Sequence, residues 1–337
     1  MPKISTDPGR HALNGPTMGT RWSALFHADA GLDPAPVQAA LQAAVAEVDA
    51  AMSTWQPDSD LMRLNRAPAG AWVAVPAGLA EVLDLGLRIG AVSGGAFNIG
   101  MGDAVRAWGF GPEEADAGAI RATRVTTHPP AHEVLEIDRA AGLARKHAPI
   151  TLDLNGIAKG YGVDRLAEML QGFGITGFLV GIDGEMRASG LRPDGMPWTV
   201  AVEAPDPERR APQSVLMLQD AAVATSGDYR HHVTVQGQRL SHTMDPATGG
   251  PLRSSPTSVT VVTGSCAEAD AWATTLMVQG PQAGGELAAR LSLDALFLVR
   301  EAGGIRTHAV GALFDSPRYR RQAARDWFVP EVCPFAQ

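Results

Sequence analysis

The segment Leu152-Asp153-Leu154-Asn155-Gly156-Ile157-Ala158-Lys159-Gly160-Tyr161 reads as an apolar strand end, a tight turn at glycine and the start of a helix. A helix N-terminus offers unpaired N–H donors and positive potential, a ready seat for phosphate. Lys159 falls in the first helical turn, where a cation opposes the helix dipole unless an anion lies nearby. The spacing matches neither the phosphate loop nor the dinucleotide fingerprint. Taken alone, the segment also reads as an ordinary capped helix with Asp153 or Asn155 as the cap. Asp270 and Thr274 stand one helical turn apart in the run that begins Ser265-Cys266-Ala267-Glu268. A carboxylate and a hydroxyl on one helix face suit a hard, oxygen-preferring cation such as Mg2+. The same spacing fits a solvated Asp beside a Thr at the edge of the core.

Two further regions carry reactive or ligand-shaped side chains. Ala224-Thr225-Ser226-Gly227-Asp228-Tyr229-Arg230 is followed by Ser241-His242-Thr243-Met244-Asp245-Pro246. His242 has the near-neutral imidazole of a general base, although an isolated His is as readily a surface residue on an edge strand. Gly94-Gly95-Ala96-Phe97-Asn98-Ile99-Gly100 and Trp108-Gly109-Phe110-Gly111 are glycine-rich enough for backbone to approach a flat ligand closely. Trp55, in Met52-Ser53-Thr54-Trp55, could stack on an aromatic ring or fill the core.

The elements that must position these residues follow from periodicity. Thr17 to Ala28 alternates polar and apolar residues as a strand does, and Pro34 to Trp55 repeats apolar residues at helical spacing. A second helix runs from about Pro76 to Val92, stopped by Gly94-Gly95. Residues 111–132 read as a surface loop. Short strands are expected at Val134–Ile137 and Ile150–Leu154, then a helix from Gly156 to Gln171. From Gly177 to Thr263 strands dominate, at Phe178–Ile182, Trp198–Val202, Val215–Leu218, His232–Val235 and Val259–Val262, with turns at Asp183-Gly184 and Asp194-Gly195. A helix follows at Ser265–Val278, its start marked by capping-box spacing, and then a hairpin of Leu293–Val299 and Ile305–Val310. The sum is α+β, a mainly antiparallel sheet with flanking helices.

The chain has 337 residues, 45% hydrophobic and 19% charged, with 28 basic against 36 acidic side chains. That composition is globular, and a net charge of −8 argues against a broad basic surface for nucleic acid. The length exceeds one ordinary core of about 250–300 residues, so one elaborated domain or two intimate lobes are expected over 16–315. A tail at 1–15 and a C-terminal extension at 316–337 flank it. Cys266 and Cys333 are too few for a disulfide framework. No apolar run approaches a membrane span. Of the basic residues only three are lysines, Lys3, Lys146 and Lys159, so a chain that otherwise writes Arg places a compact ammonium inside its most motif-like segment.

The order and wording of these segments resemble the ApbE family of FAD:protein FMN transferases. The resemblance is carried by Thr17-Met18-Gly19-Thr20, Met52-Ser53-Thr54-Trp55, Gly95-Ala96-Phe97, the Asp153–Tyr161 and Ala224–Arg230 segments, Ser241-His242 to Asp245-Pro246, and Ala269-Asp270-Ala271, and it spans residues 16–310. It implies an ApbE-like fold with FAD in a cleft between lobes. It further implies Mg2+-dependent transfer of FMN from FAD to a Thr or Ser hydroxyl of an acceptor flavoprotein, with release of AMP. By matching motif, Met18, Trp55, Ala96, Phe97, Asn98, Asp153 and Lys159 would line the FAD site, with Ser226 near the flavin. Asp270, Thr274 and the carbonyl of Gly156 would hold the metal, and His242 would be the acid/base. An FAD pyrophosphatase, which would use the same site, and a non-catalytic FAD-binding protein, which would need no metal pair, are the alternatives. The chain departs from the family in writing Phe97-Asn98-Ile99-Gly100 where Phe-Asp-Pro-Thr is frequent. Many relatives are exported lipoproteins. The polar start, without an apolar leader or lipid-bearing Cys, reads instead as cytoplasmic, or periplasmic if a leader was trimmed.

Overall fold

Phe178, Val180 and Ile182 are buried in one hydrophobic core, and Leu179, between them, in another. That period of two belongs to a strand covered on both faces. A computed structural model describes residues 9–29, 31–125, 128–206, 211–228, 232–235, 238–252, 256–302 and 304–315. Its centre is an eight-stranded sheet: β1 (Arg10–Thr17), β2 (Thr20–His27), β3 (Phe178–Ile182), β4 (Glu185–Ser189), β5 (Ala221–Gly227), β6 (Ser258–Thr263), β7 (Asp294–Glu301) and β8 (Gly304–Val310). Spatial order follows chain order, and each neighbouring pair is antiparallel.

The functional segments lie in the connections of this meander. Between β2 and β3 run α1 (Pro34–Met52), α2 (Ala77–Val92) and α3 (Ala158–Gly172); between β6 and β7 runs α4 (Cys266–Arg290). Val37, Leu41 and Val45 of α1 and Leu166 and Leu170 of α3 bury against Trp22, Phe26 and Phe178 of the sheet. The opposite face is covered by the hairpin Trp198–Glu203 and Pro212–Leu218. The largest core joins α2, α4 and the 150–157 segment to Val259, Val261 and Phe297. Among the described residues no helix is long and apolar enough to cross a membrane. The α+β class and the mainly antiparallel sheet match the expectation.

Several boundaries differ from it. Residues 10–15, expected in the tail, pair with β2 from Arg10↔His27 to Thr17↔Thr20. Half-exposed edge strands lack a clean alternating pattern, and here α1 supplies the anchors: Gln38 donates to the Asn14 carbonyl (3.0 Å) and Gln42 to that of Pro16 (3.1 Å). The expected loop at 111–132 contains helices at Ala117–Val125 and Ala131–Val134. The expected strand at Ile150–Leu154 is only a bridge, Met101↔Thr151. The Asn65 side chain takes the place of a neighbouring strand there. Its Oδ1 accepts from the Leu152 N–H (2.7 Å) and its Nδ2 donates to the Leu152 carbonyl (2.9 Å). Lys146, buried and lowered in pKa by that burial, donates to the carbonyls of Asn65 (2.7 Å) and Ile150 (3.3 Å). The helix read at Ser265–Val278 continues after a break at Gly280 (φ 76°, ψ 176°), where Pro281 restarts it. The C-terminal extension at 316–337, together with Tyr229, Arg230 and His231, lies outside the described residues.

Candidate active site

The N-termini of α3 and α4 meet, and each helix supplies the other's cap. The Asp270 carboxylate of α4 accepts the Gly160 N–H of α3 at 3.1 Å. Asp164 of α3 accepts the N–H groups of Cys266 and Ala267, both at 2.9 Å, and the Ser265 hydroxyl at 3.0 Å. Arg187 on β4 pairs with the same Asp164 at 2.6 Å. The expectation that Asp153 or Asn155 caps α3 is therefore corrected. The N-cap position is Ile157, with no side-chain cap bond, and the acceptor arrives from α4. Asp153 instead closes a local turn, accepting from the N–H of Asn155 (2.9 Å) and from its side-chain amide (3.1 Å). The helices cross so closely that a Cβ at Gly160 would lie 2.3 Å from the Cys266 carbonyl oxygen. Ser265 caps α4 as its capping-box spacing predicts.

Replacing Asp164 by Ala removes the acceptor for three donors and leaves Arg187 without its partner. Breaking a fully buried pair costs about 3–5 kcal/mol; with Arg187 a quarter exposed, the loss is expected at or below the lower end of that range. The expected result is a lower urea midpoint with an unchanged slope; a midpoint within error of the parent protein would show that the caps are dispensable.

Charge is concentrated at this crossing. Lys159, in the first turn of α3, places its ammonium 3.1 Å from Glu185 and 3.5 Å from Asp183. Burial disfavours that ammonium, but Glu185, Asp270 and Asp183 outweigh it, and the net shift is upward. Asp270 is buried, and desolvation followed by the charge of Glu185 pushes its carboxyl up to about 7 against the opposing pull of Lys159. Desolvation also raises Asp153, to about 6, although its edge still reaches solvent. Glu185 was not singled out from the sequence. Its signal is the Asp183-Gly184 turn, which folds Glu185 opposite Ile182 and brings it back over α3.

A second group of oxygens lies one turn further along α4. The Thr274 hydroxyl is 3.1 Å from the Ser226 hydroxyl at the end of β5. A Cβ at Gly156 would lie 3.1 Å from that Thr274 oxygen and 3.4 Å from the Phe97 ring. Gly156, Ser226 and Phe97 are thus brought together at Thr274, which lies on the same helix as Asp270. Among the described residues no three His, Cys, Asp or Glu side chains form a metal-holding cluster. A cation here would take a mixed set: the Asp270 carboxylate, whose Oδ2 accepts the Gly160 N–H, the Thr274 hydroxyl and the Gly156 carbonyl. All are hard oxygen donors, and so few protein ligands fit an ion that completes its shell with water and phosphate, as Mg2+ does.

The remaining expected residues lie around this centre. Met18 and Gly19 form the two-residue turn of the β1–β2 hairpin, both left-handed (φ 46° and 71°). A bulky residue in that region is strained, and here it sets the Met18 methyl against α3, 3.3 Å from where a Cβ on Gly162 would stand. Ala96 is half-buried. Phe97 is buried, its N–H bonded to the Ser93 hydroxyl (3.1 Å). Asn98 spends its amide on backbone: Oδ1 accepts from Gly100 (2.9 Å) and Ala131 (3.0 Å), and Nδ2 donates to the Pro129 carbonyl (3.4 Å). An Asp could accept both N–H groups but could not make the third bond. Trp55 is 61% exposed and has not been drawn into a core. His242 is half-buried in the bend after the strand Gln238–Ser241, edge-on to Phe110 with ring centroids 6.5 Å apart. The hydrogen bond and ion pairs that define the Lys159–Asp270 group run through Gly160, Asp183 and Glu185.

The same frame occurs in solved structures. A Vibrio cholerae flavin transferase ApbE superposes with a TM-score of 0.80 at 35% identity, covering 89% of this chain and 97% of that one. The apo form of Pseudomonas stutzeri flavinyl transferase ApbE gives 0.80 at 35% identity, over 91% and 96%. Among curated proteins, FAD:protein FMN transferases of Vibrio cholerae and Escherichia coli are 36% and 33% identical, each over 88% of this chain and over 90% and 86% of their own lengths. The ApbE family model matches residues 18–297, and the chain belongs to the ApbE family.

Proposed function

We propose that this chain is an FAD:protein FMN transferase that cleaves the FAD pyrophosphate with the help of Mg2+, moves FMN onto a Thr or Ser hydroxyl of an acceptor flavoprotein, and releases AMP. The observation that carries the reading is the convergence of Lys159, Asp270, Thr274 and Gly156 at two facing helix N-termini. Phosphoryl transfer asks for positioned charges more than for covalent help from the protein. Asp270, Thr274 and the Gly156 carbonyl would hold the Mg2+, which when bound neutralises phosphate oxygens and lowers the barrier to P–O cleavage. Lys159 meets a phosphate with its remaining N–H. Thr274, held against Ser226, fixes the hydroxyl pair beside the substrate. Met18, Trp55, Ala96, Phe97 and Asn98 form or support the walls for the flavin nucleotide. His242 takes the proton from the acceptor hydroxyl as that oxygen attacks phosphorus. The new P–O bond replaces the pyrophosphate bond, and AMP leaves.

The test is incubation of the protein with FAD and Mg2+, with and without a candidate acceptor. Flavin fluorescence that stays on the acceptor through denaturation, with stoichiometric AMP, is the expected result. AMP without protein-bound flavin would mean a pyrophosphatase, and neither product a binder.

Lys159→Ala is expected to weaken FAD binding by about 10-fold or more while riboflavin binding changes little, because the ammonium meets phosphate and not the ring; charge-assisted bonds of this kind contribute about 1.5–3 kcal/mol. Fluorescence titration of both ligands decides it. Equal losses for the two would remove the phosphate role. Arg is not expected to rescue, since its planar fork is larger and differently shaped.

A further inference from the structure

We infer that Glu185 is the positioning residue of this site: it aims the Lys159 ammonium at the pyrophosphate. The inference rests on the proposed phosphate role of Lys159 and adds the residue that makes that role possible. A lysine is a point charge on a four-carbon stem, and its direction must be set by a partner. In the first turn of α3 the helix supplies none, since its dipole disfavours a cation there. Asp183 is 42% exposed and 3.5 Å away, so water screens it. Asp270 is bonded to the Gly160 N–H. Glu185 is different: its side chain is 6% exposed, and one oxygen lies 3.1 Å from Lys159 Nζ. Its place is fixed by the β3–β4 hairpin, where it pairs with Ile182 across the Asp183-Gly184 turn and Asp183 takes a left-handed backbone (φ 55°).

The second Glu185 oxygen, Oε2, is buried without a hydrogen-bond partner among the described residues. A half-satisfied buried carboxylate is costly, and stability alone does not account for one. The carboxylates of Asp183, Glu185 and Asp270 around a single ammonium leave the crossing with excess negative charge, which also opposes an arriving pyrophosphate. Such an arrangement makes sense where the ammonium's direction matters more than the electrostatic cost. An ammonium has three donors. Glu185 is its buried ion-pair partner and Asp183 only a screened one, so donor capacity remains that Glu185 can direct at phosphate.

The experiment is a double-mutant cycle on the full chain with Glu185→Gln and Lys159→Ala, plus Glu185→Asp. Its readouts are the single-turnover flavinylation rate at saturating FAD, the FAD dissociation constant and the thermal midpoint. Misplacing a group by about 1 Å costs on the order of 10²-fold in rate. Glu185→Gln is expected to slow transfer by about 10-fold to 10²-fold at saturating FAD while FAD affinity stays within a few fold, because it relaxes direction and also removes a repulsive charge. Glu185→Asp, keeping the charge on a shorter arm, is expected to recover part of the rate. In the Lys159→Ala background Glu185→Gln should change the rate by less than about twofold, since a residue acting through Lys159 has nothing left to aim. Additive losses, an unchanged rate in the single variant, or a Glu185→Gln protein that does not fold would each overturn the inference. If Lys159→Ala itself leaves both FAD affinity and rate intact, the phosphate role of Lys159 fails and the Glu185 inference falls with it. If Lys159→Ala is impaired while Glu185→Gln is silent, only the Glu185 inference fails.

Discussion

Asp270→Asn is expected to fold like the parent protein and to lose flavin transfer by about 10³-fold. The amide keeps an oxygen for the Gly160 N–H, the bond that caps α3 at 3.1 Å, and removes only the charge. Bound metal supplies several kcal/mol of charge stabilisation at a phosphoryl group, and each 1.36 kcal/mol is a tenfold change in rate. Asp270→Ala removes the cap as well, so it should lose the same activity and also some stability. A readout independent of turnover is the Mg2+-dependent rise in thermal midpoint, which follows mass action for a ligand that binds only the folded state. That rise should vanish in both variants. Near-parental transfer by Asp270→Asn, or an intact Mg2+ shift, would remove Asp270 from the metal site.

His242→Ala is expected to retain FAD and Mg2+ binding and to lose transfer by 10²-fold or more, because a positioned general base typically contributes about 10²–10⁴-fold. The bend that carries His242 is held from both sides. The Ser241 hydroxyl accepts the Thr243 N–H at 3.1 Å. Beyond it, Asp245 accepts from the Ala247 N–H (2.9 Å) and the Thr248 hydroxyl (3.1 Å). The loop also touches the site's own framework: Met101 shares a core with Leu240, Met244 and Phe110, and bridges Thr151 just before Asp153. Titration calorimetry of FAD beside single-turnover flavinylation on one preparation separates the roles. If affinity falls in step with rate, His242 is a ligand contact; if transfer survives, the base lies elsewhere, with Asp228 the next residue to test.

What could be read from the sequence and what could not divide along physical lines. Local signals carried the helices. Ser265 and Glu268 mark the start of α4, and the apolar spacing of Val37, Leu41 and Val45 is the buried face of α1. The i, i+4 pairing of Asp270 and Thr274 did put both on one stretch of helix. Strand β1 was hidden because its order comes from β2 and from glutamines of α1, neither visible in residues 10–15 themselves. Asp164 and Glu185 were missed for a related reason. Asp164 looks like a polar residue on a helix until Cys266, 102 residues later, presents its N–H. Glu185 gains meaning only from Lys159, across a hairpin. Gly160 carried a usable hint: a glycine with an Asp four residues on, inside an apolar helix, marks a face where another backbone comes close.

The mutual capping of α3 and α4 has a consequence for how this region comes apart. An ordinary helix end frays by itself, because its terminal N–H groups answer only to their own cap. Here the last bonds of each helix are held by a carboxylate embedded in the other, Asp270 for Gly160 and Asp164 for Cys266 and Ala267. Neither end can loosen without withdrawing the acceptor on which its neighbour depends. The two starts therefore open as one cooperative unit, and Lys159, Asp270 and Thr274, which sit one, four and eight residues beyond the first residues of their helices, stay registered to one another or are lost together.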